Sequence, residues 1–169
     1  SGMQASIFAH DQIKAGSCKI MLAGGMESMS NAPHLLPGAR AGVRTGHAQL
    51  KDHMFVDGLE DAYTGQMMGS FAQKTADDKG LTREAMDAFA IESTQRAQKA
   101  IADGSLDAEL VAVTISDRSG ERVIKDDEQP GKARLDKIPA LRPAFAQDGT
   151  ITAANSSSIS DGASALVLM

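Results

Sequence analysis

The sequence has no tryptophan, one tyrosine and one cysteine. A lone Cys18 forms no internal disulfide, so the fold must stand on packing, as suits a reducing compartment. Aromatic residues make up only 4% of the chain, while methionine occurs nine times. The core is therefore expected to use aliphatic, alanine and methionine side chains, which suits helices packed closely on a sheet. No apolar run approaches the roughly 20 residues that span a bilayer, so no membrane partner is expected. Positive charge is not in excess. The formal net charge of −5 argues against a broad nucleic-acid-binding surface.

What remains is the composition of a globular protein, 42% hydrophobic and 23% charged over 169 residues. That length allows one domain with a core, or one domain and a piece of another. Ser1 opens without an initiator methionine, directly on a helix-like pattern. The last stretch, "ITAANSSSISDGASALVLM", sets a hydroxyl-rich bend before an apolar run that ends the chain. Both ends read as cut. No signal peptide is visible, and a cytoplasmic location is the expectation.

The first segment predicts a helix from Ser1, with Met3, Ile7, His10 and Lys14 on one line, Ala5, Phe8, Ala9 and Ile13 on an apolar side, and Gly16 as a left-handed stop. "CKIMLAGG" then predicts a short buried strand running into two glycines, which gives the αβ half of a βαβ unit. Residues 31–58, with Pro33, Pro37 and several glycines but no period, predict a long loop, functional or part of an oligomer contact. A helix is predicted over 63–78, stopped at Gly80. A second covers 83–102, capped by Thr82, ended by Gly104 and striped with Met86, Phe89, Ala90, Ser93, Ala97 and Ile101. "ELVAVTIS" and "ERVIK" around "DRSG" predict a β-hairpin. Residues 126–145 predict irregular, proline-marked chain with a helical turn near Leu135. An extended piece near Thr150, the bend and a strand from Ala163 follow. The fold class is α/β, with an inserted α+β domain. Three parts are expected: 1–30 as core helix and strand, 31–150 as a loop domain, and 151–169 as the return to the core.

Several stretches are candidates for chemistry. "LAGGMESMS" reads either as close backbone approach to a ligand or chain, or as a tight turn after a strand. The four histidines, His10, His34, His47 and His53, have no HxxxH spacing and no cysteine pair, so no metal site is expected. Cys18 follows a helix C-terminal end, where the dipole disfavours a thiolate, so it reads as structural. No G-x-S-x-G elbow supports a serine nucleophile. "GKARLDKIPALRPAF" sets Lys132, Arg134, Lys137 and Arg142 against Asp136, and reads equally as an anion site or a solvated face. "AANSSSISDGA" offers Asn155 and three serines, either for a polar ligand chain or to satisfy the backbone of a bend.

Taken in order, "SGMQASIFAHDQIKAG", "AGGMESMSNAPH", "KDHMFVDGLEDAYTGQMMG", "LRPAF" and "GTITAANSSSISDGASALVLM" resemble the thiolase family over essentially the whole chain. Met26 and the following "NAPH" resemble its acetoacetyl-CoA-type branch. The resemblance implies part of a layered α-β-α fold with a loop domain, and acyl transfer between coenzyme A thioesters without a separate cofactor. It places the nucleophilic cysteine immediately before Ser1, at the start of a helix whose dipole favours the thiolate. The family's histidine and second cysteine belong to a later half, so no catalytic residue is expected in this chain. By motif position Ser157 resembles the serine that hydrogen-bonds the pantetheine arm. Ala153, Ser156 and Phe145 resemble its neighbouring contacts, and Met67 and Met68 stand where the family has a His-Met pair. Met67 departs from that pattern, and Pro130 stands near where some members carry an adenine-packing arginine. Lys132, Arg134 and Lys137 are then candidates for the phosphate end. The resemblance also implies a dimer or tetramer, with residues 34–46 reaching another subunit. Two alternatives stay open: a broader-chain 3-ketoacyl-CoA thiolase of fatty-acid β-oxidation, and a non-catalytic coenzyme A- or lipid-binding protein. The residue before Ser1 separates the enzyme from the binder.

Overall fold

The computed structural model describes residues 2–169. The elements in chain order are α1 (Gly2–Lys14), β1 (Met21–Glu27), β2 (His34–Leu35), β3 (Lys51–Asp52), α2 (Met68–Lys79), α3 (Arg83–Asp103), β4 (Val113–Asp117), β5 (Gly120–Ile124), α4 (Glu128–Lys132) and β6 (Gly162–Leu168). The class is α/β, as the pattern predicts. Two compact units form: residues through Met68 together with Ser158–Met169, and Gly69–Ser157.

In the first unit α1 packs on a two-stranded sheet. The expected helix start at Ser1 lies outside the described residues. The helix ends at Gly16 (φ +76°), as its position predicts. Its buried contact is narrower than the expected apolar side: Ala9 is 2% exposed, whereas Phe8 is 61% exposed. Small residues decide this packing, since Ala9 and Ala23 of β1 are the buried residues of their elements. The strand also differs from expectation. It starts at Met21 rather than Cys18 and runs through Gly24 and Gly25 instead of stopping there. Its partner is β6, antiparallel, with Met21 opposite Leu168, Gly24 opposite Ala165 and Glu27 opposite Gly162. The apolar run at the chain's end is therefore paired with β1 near the chain's start rather than left without a strand. Its Asp-Gly bend is tied down as well: the Ser30 amide donates to Asp161 Oδ1 at 2.8 Å.

Residues 29–59 are mostly irregular, with 3-10 turns at Met29–Asn31 and Ala39–Ala41 and a wide helical turn at Phe55–Leu59. The strands β2 and β3 close the loop as a two-rung clip, His34 opposite Asp52 and Leu35 opposite Lys51.

Helix α2, nearly all of it in the second unit, begins at Met68, the last residue of the first unit before the chain enters the second, and later than the expected 63, because Asp61 first makes a polar turn. Its carboxylate accepts from the Thr64 amide at 2.8 Å and the Thr64 hydroxyl at 2.7 Å. Helix α3 matches its sequence signals. Thr82 Oγ1 accepts from the Ala85 amide at 3.2 Å, and Gly104 ends the helix at φ +70°. Its stripe is rotated from expectation. Asp87 and Ala90 are buried, while Phe89 is 79% exposed. The reason is a polar anchor: Asp87 is buried beneath Arg83, and Arg83 donates to the Ile138 carbonyl of the 3-10 segment Leu135–Ala140, which sets the roll of the helix. The hairpin of β4 and β5 forms as predicted, with Val113 opposite Ile124. The core of this unit includes Ala76, Ala90, Ile138, Ile151 and the fully buried Thr152.

Candidate functional site

The glycine pair is not a turn after the strand, since β1 runs through it, and the close contacts it allows among the described residues are with this chain's own α1 and β6 rather than with a ligand or another chain. A β-carbon on Gly24 would collide with the Ser164 carbonyl of β6, and one on Gly25 would sit 3.3 Å from Gly2 Cα of α1. The missing side chains let helix and strands meet. Beside them, Gly2, Gly25, Met26, Glu27, Gly162, Ala163 and Ser164 line a shallow pocket of about 370 Å³ at the N-terminal end of α1.

The hydroxyl-rich bend is built from Thr150 onward. Asn155 Oδ1 accepts from the Thr152 amide at 2.8 Å, and its Nδ2 donates to the Thr150 carbonyl at 2.9 Å. The Ser156 hydroxyl donates to the Thr152 carbonyl at 2.7 Å. Asn155 and Ser156 thus satisfy the bend's own backbone, one of the two readings the sequence left open. Ser157 differs. Its hydroxyl has no hydrogen-bond partner among the described residues, and the residue is exposed. Ser156 and Ser157, with Ala154 and Asn155, form one wall of a groove of about 620 Å³. Helix α3 and its lead-in supply the other wall, through Leu81, Met86 and Phe89 among others. A concave apolar wall facing a few fixed polar groups is the usual make-up of a small-molecule site. Sequence reasoning assigned Met86 and Phe89 to the core. Phe89's exposure depends on the roll of α3, which the Arg83 anchor sets and periodicity does not report.

The other candidates lie apart from this groove or in the other unit. Ala153 is exposed in the bend and is not among the groove's lining residues. Phe145 follows Ala144, whose amide donates to the Ile151 carbonyl at 2.9 Å. Its ring covers Gly69 so closely that a β-carbon there would overlap it. Met67 and Met68 belong to the first unit. Met67 pairs with Glu60 in an isolated bridge, and Met68 opens α2 at 43% exposure. The basic candidates have more acidic company than the sequence suggested. Lys132 pairs with Glu128 at 2.5 Å, and Arg134 and Lys137 share Asp136 at 3.5 and 3.8 Å. These pairs are exposed, so each is weak and open to exchange for another anion. Arg142 makes no ion pair among the described residues.

Elsewhere, His10 lies 3.1 Å from Asp11 and His53 lies 3.0 Å from Asp57, both on the surface. Among the described residues, no group of three or more His, Cys, Asp or Glu side chains is placed to hold a metal ion.

A family model described as "Thiolase, N-terminal domain" matches residues 1–169. The chain belongs to the thiolase family. It is 47% identical to an acetyl-CoA acetyltransferase of Cupriavidus necator over 100% of this chain and 44% of that relative. The solved acetyl-CoA acetyltransferase of Syntrophomonas wolfei is 43% identical, with a TM-score of 0.87 over 99% of this chain and 42% of that one. A thiolase of Ascaris suum, solved in complex with coenzyme A, is also 43% identical, with a TM-score of 0.85 over 99% and 42% of the two chains. This thiolase chain spans less than half the length of the relatives it matches.

Proposed function

We propose that the complete polypeptide carrying this chain is an acetyl-CoA C-acetyltransferase, and that this chain supplies its coenzyme A-binding part. The carrying observation is the unpartnered Ser157 hydroxyl on a bend whose other polar groups are already tied, at the lip of a groove. A thiolase relative solved with coenzyme A supports the same ligand.

In this reading a cysteine thiolate outside the chain attacks the carbonyl carbon of one acetyl-CoA. A thioester forms, the bond to the CoA sulfur breaks, and CoA leaves as its thiol with the proton of a second cysteine, also outside the chain, which becomes a thiolate. That second thiolate takes a proton from the methyl of another acetyl-CoA, and the carbanion attacks the acyl-enzyme carbonyl. Acetoacetyl-CoA is released and the first thiolate returns. Thiolysis is the reverse, and no resident cofactor enters either direction. This chain's residues hold the substrate. Ser157 meets a pantetheine amide, and Ser156, Ala153, Phe145, Met68 and Met67 are its proposed neighbours. Lys132, Arg134 and Lys137 are proposed for the phosphates, exchanging Glu128 and Asp136 for them. A loop domain over residues 31–150, assembly through residues 34–46 into a dimer or tetramer, and a role in fatty-acid metabolism belong to the same proposal.

The test is thiolytic cleavage of acetoacetyl-CoA by the complete polypeptide, with intact-mass detection of a 42 Da acetyl adduct at about 1:1 stoichiometry. The adduct is expected to vanish when the residue before Ser1 is replaced by alanine and to survive Cys18→Ala. Coenzyme A binding without an adduct or turnover would instead favour the non-catalytic binder. Loss of the adduct in Cys18→Ala alone would overturn the placement of the nucleophile.

A further inference from the structure

The bend that carries Ser157 does not hold its place alone. It hangs from Thr150 and Ile151, and those two residues are held by one side chain. Gln73 of α2 is 6% exposed. Its Oε1 accepts from the Thr150 amide at 2.9 Å and the Ile151 amide at 3.1 Å. Its Nε2 donates to Asp77 Oδ1 at 2.9 Å and to Thr150 Oγ1 at 3.3 Å. Two acceptor and two donor positions exhaust what a glutamine amide offers.

The seat of this amide is shaped for it. A β-carbon on Gly149 would collide with Gln73 Oε1, so the residue before Thr150 leaves the space that the amide fills. From the clamped pair the chain is held in two directions. Forward, Asn155 bonds to Thr150 and Thr152, and Ser156 bonds to Thr152, which closes the bend before Ser157. Backward, the Ile151 carbonyl accepts from the Ala144 amide, next to Phe145.

We propose that Gln73 is a positioning residue for coenzyme A binding: its amide fixes Thr150–Ile151 and so presents the Ser157 hydroxyl preorganised. The inference rests on the coenzyme A reading of the bend. Its physical content is an ordering term. Without the clamp the segment must be ordered when the ligand binds, and affinity falls by that amount. Within α2 Gln73 bonds only to Asp77, one turn on, while both lone pairs of its oxygen and its other amide hydrogen go to chain 77 and 78 residues away.

The experiment is made on the complete polypeptide, with coenzyme A itself as the probe, measuring its Kd by calorimetry and the melting temperature on the same samples. Gln73→Leu keeps the size and removes the four bonds, and is expected to raise Kd roughly tenfold per folded molecule. The paired variant Gln73→Glu with Asp77→Asn exchanges amide and carboxylate across their contact and keeps both acceptor bonds, so it is expected to restore Kd to within about threefold of the parent. Gly149→Ala leaves Gln73 in place but crowds it out of its seat, and is expected to weaken binding as Gln73→Leu does. It also carries the test if the leucine variant does not fold. Hydrogen exchange of the Thr150 and Ile151 amides should quicken in both weakened variants. If Gln73→Leu and Gly149→Ala lower only the melting temperature, while Ser157→Ala still weakens coenzyme A, the positioning role is wrong and the coenzyme A reading stands. If the parent protein does not bind coenzyme A, both fall.

Discussion

Arg83 and Asp87 meet one turn apart on α3, Nε to Oδ2 at 2.7 Å, with side chains 19% and 7% exposed. The far side of the Arg83 guanidinium donates to the carbonyls of Ile138 at 3.0 Å and Leu141 at 2.9 Å. The planar fork lets one residue hold a carboxylate of its own helix and the carbonyls of a 3-10 segment some 55 residues on. Breaking a buried pair by removing one partner costs about 3–5 kcal/mol, and partial exposure puts Arg83 near the lower end. Arg83→Met is expected to lose about 3 kcal/mol in urea unfolding. Arg83→Lys should recover less than half, since an ammonium cannot hold both directions at once. Full recovery by lysine would mean that charge alone matters at this position.

The same anchor shows where the sequence was legible and where it was not. The limits of α3 follow from local chemistry, a threonine cap and a glycine in the left-handed region, and both were readable within a few residues. The hairpin of β4 and β5 was readable for the same reason. The roll of α3 was not. It depends on Arg83 reaching carbonyls over 50 residues away, and a hydrophobic period carries no record of that partner. Gln73 was missed likewise, because a lone polar residue in a helix looks solvated until its partner is known. Ser156 and Ser157 were legible as a pair, but only the bonding pattern separates the hydroxyl that closes the bend from the one left free.

Asp161 links the fold to pH. The Ser30 amide and neighbouring groups of that turn hold its carboxyl below the usual carboxylate range. A depressed folded value stabilises above the unfolded value, about pH 4, and the gain is lost as pH falls through the folded value. The melting temperature should therefore drop from about pH 4 downward, and less steeply in Asp161→Asn, whose amide oxygen still accepts but does not titrate. Identical acid limbs for the two proteins would remove this contact from the pH response.

Gly69 and Phe145 form a second test of packing. In most helices Gly→Ala stabilises by about 0.5–1 kcal/mol. Here the added carbon overlaps the Phe145 ring, and overpacking costs about 1–3 kcal/mol. The crowding should win, so Gly69→Ala is expected to destabilise by about 1 kcal/mol. In a Phe145→Ala background the sign should reverse, since the open space leaves only the helix preference. A stabilising Gly69→Ala with Phe145 present would mean that the ring moves aside freely.

The loop between β2 and β3 can be shortened without touching their pairing. Its turn from Gly38 to Gly42 uses two glycines at φ +78° and +87°, and Leu36 and Val43 are 37% and 56% exposed. Apolar side chains on an aperiodic, exposed segment fit contact with another subunit. Deleting residues 36–45 of the complete polypeptide leaves both rungs of the clip. A smaller, still folded species is expected in light scattering. An unchanged mass would count against a subunit contact through this loop.

The free hydroxyl of Ser157 gives the most direct test of the groove. It has no partner to lose within the described chain, so Ser157→Ala removes little from the fold itself. If the hydroxyl meets a pantetheine amide, its loss takes away a neutral hydrogen bond of about 0.5–1.5 kcal/mol net. Coenzyme A affinity of the complete polypeptide should then fall roughly 2- to 12-fold, with the melting temperature unchanged without ligand. The two serines beside each other supply the internal control. Ser156 donates to the Thr152 carbonyl at 2.7 Å, so Ser156→Ala loosens the bend and should lower the melting temperature as well. A variant at 157 that loses stability but keeps its coenzyme A affinity would take Ser157 out of the site.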